Sequence, residues 1–454
     1  MIPIKDISKG SDLVPSRYNF YFDVDGIDYV YNTLYVGLAG LDKKTYDLIS
    51  KKEISKIDPS VIESLREQNF LVDSKLDELE SYKFFNSSLR FGSGARVLAI
   101  TLIPTYNCNL VCPYCSQGQG KKNNNISIED VDKIISFAEK TIIHSRENGV
   151  PITHIRANLF GGEPLLNKRA AIHYCYRMKE LAEKTHCKIR FQVTTNLTLL
   201  DDELLKMFID VDMHCQATID GTPESHDKKR IDKKGRGTFS VIVKNLEKLN
   251  KAGLRKNTTI RINIDEKDFD SAERAIASVT PYSDDIYFGY IEKFNGFNDG
   301  CASCYDNCIS SRAEKTEVLN KIRRKYVGKI PEEFGKLSPC ALNAANKFFI
   351  DCNLRVYKCE LSINMPEVSV GYIDENSNLV PNHNYYKQLN HAPWDHEKCR
   401  NCILLPLCAG GCAARSYIAS NKRDGNLCRT YCMCDKHSLT VYLKNYVKRL
   451  LEGV

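Results

Sequence analysis

The sequence predicts an α/β protein: a partial (β/α)6 TIM-type barrel, preceded by a small winged-helix-like unit and followed by a cysteine-rich C-terminal domain. Three observations lead there. From Arg96 onward, short β-branched runs alternate with amphipathic stretches, the pattern of parallel β/α units. Residues 1–85 carry a hairpin signal and then two short helical patterns. Thirteen of the 19 cysteines lie beyond residue 300, where the alternation has stopped.

Composition narrows the function classes. A chain of 454 residues suits two to four domains, and 43% hydrophobic with 27% charged residues excludes general disorder. No apolar run of ~18 residues is present, so no membrane partner is expected. The opening MIPIKDISKG lacks the layout of a secretory signal, which makes cytoplasm the expected compartment. There, cysteines serve metals or catalysis rather than disulfides. The net charge of +7, from 64 basic and 57 acidic residues, is diffuse. Lys228-Lys229-Arg230 is short and no basic tract is interleaved with aromatics, so nucleic acid is not an expected partner.

In the N-terminal unit, Tyr18–Asp23 and Asp28–Tyr31 flank Asp25-Gly26, a hairpin turn pair. Leu41 to Ile49 has helical spacing, and Asp58-Pro59 opens a second helix through Val61, Ile62 and Leu65 to Phe70-Leu71-Val72. Residues 73–94 read as a polar linker ending in Phe91-Gly92-Ser93-Gly94. The barrel, 95–295, has strands expected at Val97–Ile103, His154–Phe160, Lys188–Thr194, Met213–Ile219, Thr259–Ile264 and Asp285–Tyr290. Helices are expected at Ile128–Ile143, Lys168–Lys184 and Phe239–Ala252. In such barrels chemistry gathers at the C-terminal strand ends. Residues 296–339 form a bridging region, and 340–454 a cysteine-rich domain with a final helix.

Cys108, Cys112 and Cys115 form C-x3-C-x2-C directly after the first barrel strand. Three thiolates on one loop can each hold an iron of a [4Fe–4S] cube, leaving one iron open to a substrate or cofactor. A structural zinc site, the alternative, more often uses paired C-x2-C units and needs no strand before it. The motif, with Tyr114 before its last cysteine, resembles the signature of the radical S-adenosylmethionine (SAM) superfamily. That resemblance implies SAM contacts at Gly161, Gly162, Glu163 and Pro164 after strand two, and at Thr195 and Asn196 ending strand three. It also implies Arg261 and Asn263 on strand five. Gln216 to Pro223, with His226-Asp227 and Arg230, resembles a block frequent in the peptide-modifying branch. Leu197 departs from the glycine often found after the asparagine.

Cys399, Cys402, Cys408 and Cys412 form C-x2-C-x5-C-x3-C, followed by Cys428. Upstream, Cys340 and Cys359 bracket a hairpin at Phe348–Tyr357. This resembles the SPASM extension of radical SAM enzymes, which implies two auxiliary [4Fe–4S] clusters, three clusters in all. Cys399, Cys402, Cys408 and Cys428 would hold the outer one, and Cys340, Cys359 and Cys412 the inner one. Its fourth position falls to Cys352 or to a substrate thiolate. Zinc at the same thiolates is the alternative. Leu354 stands where the family usually has glycine. Cys301, Cys304 and Cys308, with Cys432 and Cys434, have no assigned role, and Cys175, Cys187 and Cys215 read as core residues.

Asn32-Thr33, Leu41-Asp42 and Gln68-Asn69-Phe70-Leu71-Val72 resemble the recurrent residues of a PqqD-like element, implying a leader peptide bound by strand addition. Together the resemblances imply a radical SAM/SPASM peptide maturase acting on a precursor peptide through a 5′-deoxyadenosyl radical. An external one-electron reductant such as flavodoxin or ferredoxin is implied too. Two auxiliary clusters favour an oxidative change, and cysteine thioether formation to an acceptor carbon is the expected one. Alternatives are carbon–carbon crosslinking, sulfatase-maturase-like oxidation of Cys or Ser on a protein, and a nonenzymatic metal scaffold. No general base can be named from the sequence.

Overall fold

The computed structural model describes residues 12–115, 124–265, 268–291, 312–327, 340–363, 365–414 and 436–452. Strand β1 (Leu13–Pro15) precedes β2 (Asn19–Val24) and β3 (Ile27–Asn32), which pair antiparallel around Asp25 and Gly26. Both turn residues take positive φ, 52° and 86°, the hand that matches strand twist. Then β4 (Leu38–Leu41) pairs with β3 alone. Asp58 caps α2 (Pro59–Glu67) as its sequence position predicts, while α1 (Lys43–Ser50) begins after its cap Asp42 and α2 stops at Glu67, short of the expected Val72. Strand β5 (Leu71–Asp73) returns to pair with β1. Val30, Leu41, Ile49, Leu65, Phe70 and Leu71 close a small core beneath.

The stretch expected as a linker instead contains α3 (Glu78–Ser87), capped by Asp77. Its buried residues are Glu78, Leu79, Tyr82 and Asn86, so half of the inward face is polar and hydropathy conceals it.

Six parallel strands follow: β6 (Val97–Leu102), β7 (His154–Leu159), β8 (Lys188–Thr195), β9 (His214–Ile219), β10 (Thr258–Ile264) and β11 (Asp285–Tyr290). Each pairs with the next in chain order. Helices α4 (Ile128–Glu147), α5 (Lys168–Thr185), α6 (Asp202–Asp210), α7 (Pro223–Lys229), α8 (Phe239–Lys251) and α9 (Ala272–Val279) alternate with them. Strand ends agree with expectation to within a residue, because each run shows either a continuous apolar stretch, as in β6, or apolar alternation, as in β7 and β8. A further helix, α10 (Arg312–Val327), follows β11 and lies against it: the Arg323 guanidinium donates to the Ile286 carbonyl. It is too charged to show a periodic signal, so the alternation continues one helix further than expected.

Nor is the tail separate from the barrel. Strand β12 (Lys347–Ile350) pairs parallel with β6, and β13 (Arg355–Tyr357), β14 (Gly371–Ile373) and β15 (Leu379–Pro381) continue the same sheet antiparallel. Short helices α11 (His383–Leu389), α12 (Glu397–Arg400) and α13 (Leu405–Cys408) follow, and α14 (Lys436–Glu452) comes last. Phe20, Phe22 and Tyr31 pack with Leu404, Leu407, Leu443 and Val447, so the N-terminal unit sits on the tail. Among the described residues, no helix is long and apolar enough to cross a membrane.

Leu197 and Leu354, the two departures from glycine, both stand at φ 58°. A left-handed leucine costs about 1–2 kcal/mol. Both side chains are buried in the main core, which returns roughly 1.5–3 kcal/mol each. Burial wins, and leucine is tolerated where backbone freedom alone favours glycine.

Candidate active site at the barrel mouth

The loop after β6 carries Cys108, Cys112 and Cys115, with Cys112 buried and the other two half-buried. The Leu110 N–H donates to Cys108 Sγ at 3.4 Å, and Val111 N–H to the Ile231 carbonyl at 2.9 Å. Tyr106 Oη donates to Asp351 Oδ2 at 2.9 Å, pinning the loop to the turn between β12 and β13.

Gly161 and Gly162, just past β7, pack on this loop. A Cβ at Gly161 would lie 2.6 Å from the Thr105 carbonyl oxygen, and one at Gly162 would overlap those of Tyr106 and Asn107. Gly162 N–H donates to Thr105 O at 3.2 Å and Glu163 N–H to Asn107 O at 2.7 Å. The fully buried Glu163 carboxylate accepts from Leu165 N–H (3.1 Å), Thr195 Oγ1 (2.7 Å) and Asn196 N–H (2.7 Å). Burial raises its pKa, while these bonds and Arg230 pull the other way. Pro164 begins the short turn that Glu163 caps. Asn196 Nδ2 donates to Asn109 Oδ1 at 2.8 Å and approaches Cys108 Sγ at 3.8 Å. Gly161 to Pro164, Thr195 and Asn196 therefore form one bracket that fixes the cysteine loop over the ends of β7 and β8.

On the other side, the Tyr114 hydroxyl bonds to Asp220 Oδ2 and accepts from Arg230 Nη1 at 3.0 Å. Arg230 and Asp220 form an ion pair at 3.8 Å. Burial lowers the Arg230 pKa, but Asp220 and the three cysteines raise it further. Asp220 Oδ1 and Arg230 Nε are buried without a hydrogen-bond partner. Arg261 and Asn263 share one face of β10, joined by a 2.8 Å bond from Nε to Oδ1, and both influence Asp220. Lys229 adds a buried ion pair to Asp268 beside them.

Behind this group, Asp220 N–H donates to His226 Nδ1 at 3.2 Å, so His226 Nε2 carries the proton it shares with Thr238 Oγ1 at 3.1 Å. Burial first, then Arg230 and Lys229, push the His226 pKa down to about 3. Unfolded histidine titrates near 6.5, so stability is full above that pH and is lost as pH falls toward 3. His391, held down to about 4, acts in the same window. His226→Gln is expected to flatten the fall of melting temperature between pH 7 and 5 without removing it. An unchanged slope would contradict the assignment.

The donor set fits the cofactors implied. Three soft thiols on one loop face a buried guanidinium, whose charge opposes burial, although burial still leaves the Cys112 thiol pushed up to about 12. The orphaned Arg230 Nε offers a donor to an anionic ligand. Among the described residues, no three His, Cys, Asp or Glu side chains converge as a single-ion site.

In the tail, Cys340 and Cys412 are close enough to raise the pKa of the buried Cys359 thiol, and Cys359 and Cys412 pack with Leu342, Met365 and Val368. Cys399, Cys402 and Cys408 lie along one turn-and-helix segment, where Cys402 N–H donates to Cys399 O at 3.0 Å and Leu404 N–H to Cys402 Sγ at 3.4 Å. Cys352 sits elsewhere, at the turn end of the hairpin beside Asp351 and Tyr106, with its thiol pushed up to about 12. Cys175, Cys187 and Cys215 are buried in the barrel core. Cys301, Cys304, Cys308, Cys428, Cys432 and Cys434 lie outside the described residues. The Tyr106–Asp351 link spans 245 residues, and no local pattern announces it.

Residues 102–277 match the model of the radical SAM superfamily. The chain carries a radical SAM domain and is an enzyme. It is 25% identical over 330 residues to a cysteine-type anaerobic sulfatase-maturating enzyme of Clostridium novyi, covering 67% of this chain and 85% of that one. It is 22% identical over 474 residues to the radical SAM cyclopropyl synthase TigE of Paramaledivibacter caminithermalis, covering 93% and 92%. Its fold is like that of Streptococcus suis SuiB bound to the precursor peptide SuiA, with TM-score 0.50, 13% identity and 92% and 99% coverage.

Proposed function

We propose that this radical SAM enzyme is a peptide maturase of the SPASM type that oxidatively modifies a precursor peptide, forming a thioether between a cysteine and an acceptor carbon. The observation that carries the reading is the gathering of Cys340, Cys359 and Cys412 while Cys352 stays at the far end of β13. Among the described cysteines that assigns three to the inner set, and its fourth position suits a substrate thiolate. The likeness to SuiB, whose structure holds its precursor peptide SuiA, supports a peptide substrate. The β2 and β4 edges of the N-terminal sheet have no strand partner among the described residues, as strand addition by a leader needs.

SAM on the reduced first cluster supplies the 5′-deoxyadenosyl radical that takes a substrate hydrogen. The protein's own part is placement: Cys108, Cys112 and Cys115 hold the cluster, the Glu163–Thr195–Asn196 bracket fixes their loop, and Arg230 with Asp220 sets the charge beside it. Cys399, Cys402 and Cys408 with Cys428 would hold an outer cluster, whose chemistry would be to take up the electron left after bond formation. An external one-electron reductant starts the cycle.

Purified enzyme, precursor, SAM and reductant should yield a peptide lighter by roughly 2 Da with one fewer alkylatable thiol. The same mass loss with every thiol free would indicate a carbon–carbon link. The sequence relatives favour a second reading, oxidation of one Cys or Ser side chain on a protein. It predicts a carbonyl-bearing residue and no crosslink, with a short motif peptide lacking any leader as sufficient substrate.

A further inference from the structure

We infer that Tyr82, in the N-terminal unit, donates its hydroxyl to the sulfur centre held by Cys399 and Cys408, so that the peptide-recognition unit tunes that centre's reduction potential. The inference rests on the proposed reading of the outer cysteines as a cluster. Tyr82 lies on α3 and is 2% exposed. It shares one buried cluster with Tyr18, Leu79, Cys399 and Leu405. Its ring is held edge-on by Trp394, with centroids 5.7 Å apart at 87°, so the phenol has little freedom to turn away. Among the described residues the buried hydroxyl has no hydrogen-bond partner of good geometry, although Asn86 is one turn along. Cys408 and Cys399 both lie close enough to disfavour its ionisation. A buried donor left unmade is costly, and a cluster sulfur at this place would satisfy it.

The frame around Tyr82 is rigid. Glu78, one turn earlier, accepts from Ser16 Oγ at 2.5 Å and Arg17 N–H at 2.7 Å. Arg17 Nη2 donates to Arg400 O at 2.6 Å, and Thr33 Oγ1 to Ile403 O at 2.5 Å, on either side of Cys402. Anything that shifts the N-terminal sheet therefore moves the backbone carrying these cysteines. Tyr82 is a positioning residue, since it acts through the centre and not on the substrate.

Hydrogen bonds to cluster sulfurs stabilise the reduced form and raise its potential. In the anaerobically reconstituted full chain, Tyr82→Phe keeps the ring and removes the donor. Iron content should be unchanged, while one auxiliary signal in an EPR-monitored redox titration becomes about tenfold harder to reduce, about 59 mV for one electron. In deuterated buffer, the wild type should show an exchangeable deuteron coupled to that reduced centre, absent from Tyr82→Phe. Unshifted potentials at full iron content, or no such deuteron in the wild type, overturn the inference. A wild type with about four iron per chain and zinc in the tail would instead remove the cluster reading on which it rests.

Discussion

Replacing Cys108, Cys112 and Cys115 together by alanine is expected to lower iron from roughly 12 to about 8 per chain and to abolish SAM cleavage. The effect should be close to complete, because each thiolate supplies one iron's protein ligand and no other described cysteine lies on this loop. The fold should survive. What holds the loop is independent of the thiols: Tyr106 to Asp351, Gly162 N–H to Thr105 O, Glu163 N–H to Asn107 O and Val111 N–H to Ile231 O. Of the three, only Cys112 is buried, so the truncations remove little buried area and melting temperature should fall by only a few degrees. Iron and sulfide analysis with chromatography of 5′-deoxyadenosine checks this. Continued SAM cleavage in the triple variant would sink the radical assignment of this loop. A loss of all iron would mean that the tail sets do not assemble independently.

The barrel was legible because β6 is a near-continuous apolar run, Leu98 to Leu102, and strands such as β7 and β8 alternate buried with more exposed positions. The cysteine loop was legible because its spacing carries chemistry. What escaped had no local signature. Half of α3's buried positions are Glu78 and Asn86, and the partners of Glu78, Ser16 and Arg17, come from the other end of the unit. The seating of the N-terminal unit on the tail is made by pairs such as Thr33 and Ile403, 370 residues apart. At the mouth, Asp220 and Arg230 stood in a recognisable block, but only the fold shows them meeting Tyr114 beside the last cysteine. At Gly161 and Gly162, where the resemblance implies SAM contacts, the structure also shows a close approach to the protein's own loop.

Gly162→Ala follows from that geometry and should be far more damaging than one methyl group suggests. The added Cβ would overlap the carbonyl oxygens of Tyr106 and Asn107, both backbone atoms on the loop leading into Cys108, so no side-chain rotation relieves it. Gly162 is not in the left-handed region, so the penalty is steric and not conformational. Overpacking of this kind costs about 1–3 kcal/mol, and the bonds from Gly162 and Glu163 to the loop are worth about 1 kcal/mol each. A total of roughly 3–5 kcal/mol leaves a domain of ordinary stability folded but shifts the loop. A misplacement near 1 Å at reacting groups lowers rate on the order of 100-fold. The expected result is a folded protein that retains its tail iron, loses first-cluster occupancy or SAM cleavage by about that factor, and melts several degrees lower. Gly149→Ala is the control: at φ 74° with nothing within 4 Å of the new Cβ, it carries conformational strain alone. It should lower the melting temperature slightly and leave SAM cleavage at the wild-type rate. Equal behaviour of the two variants would show that the packing of Gly162 on the cysteine loop does not govern the site.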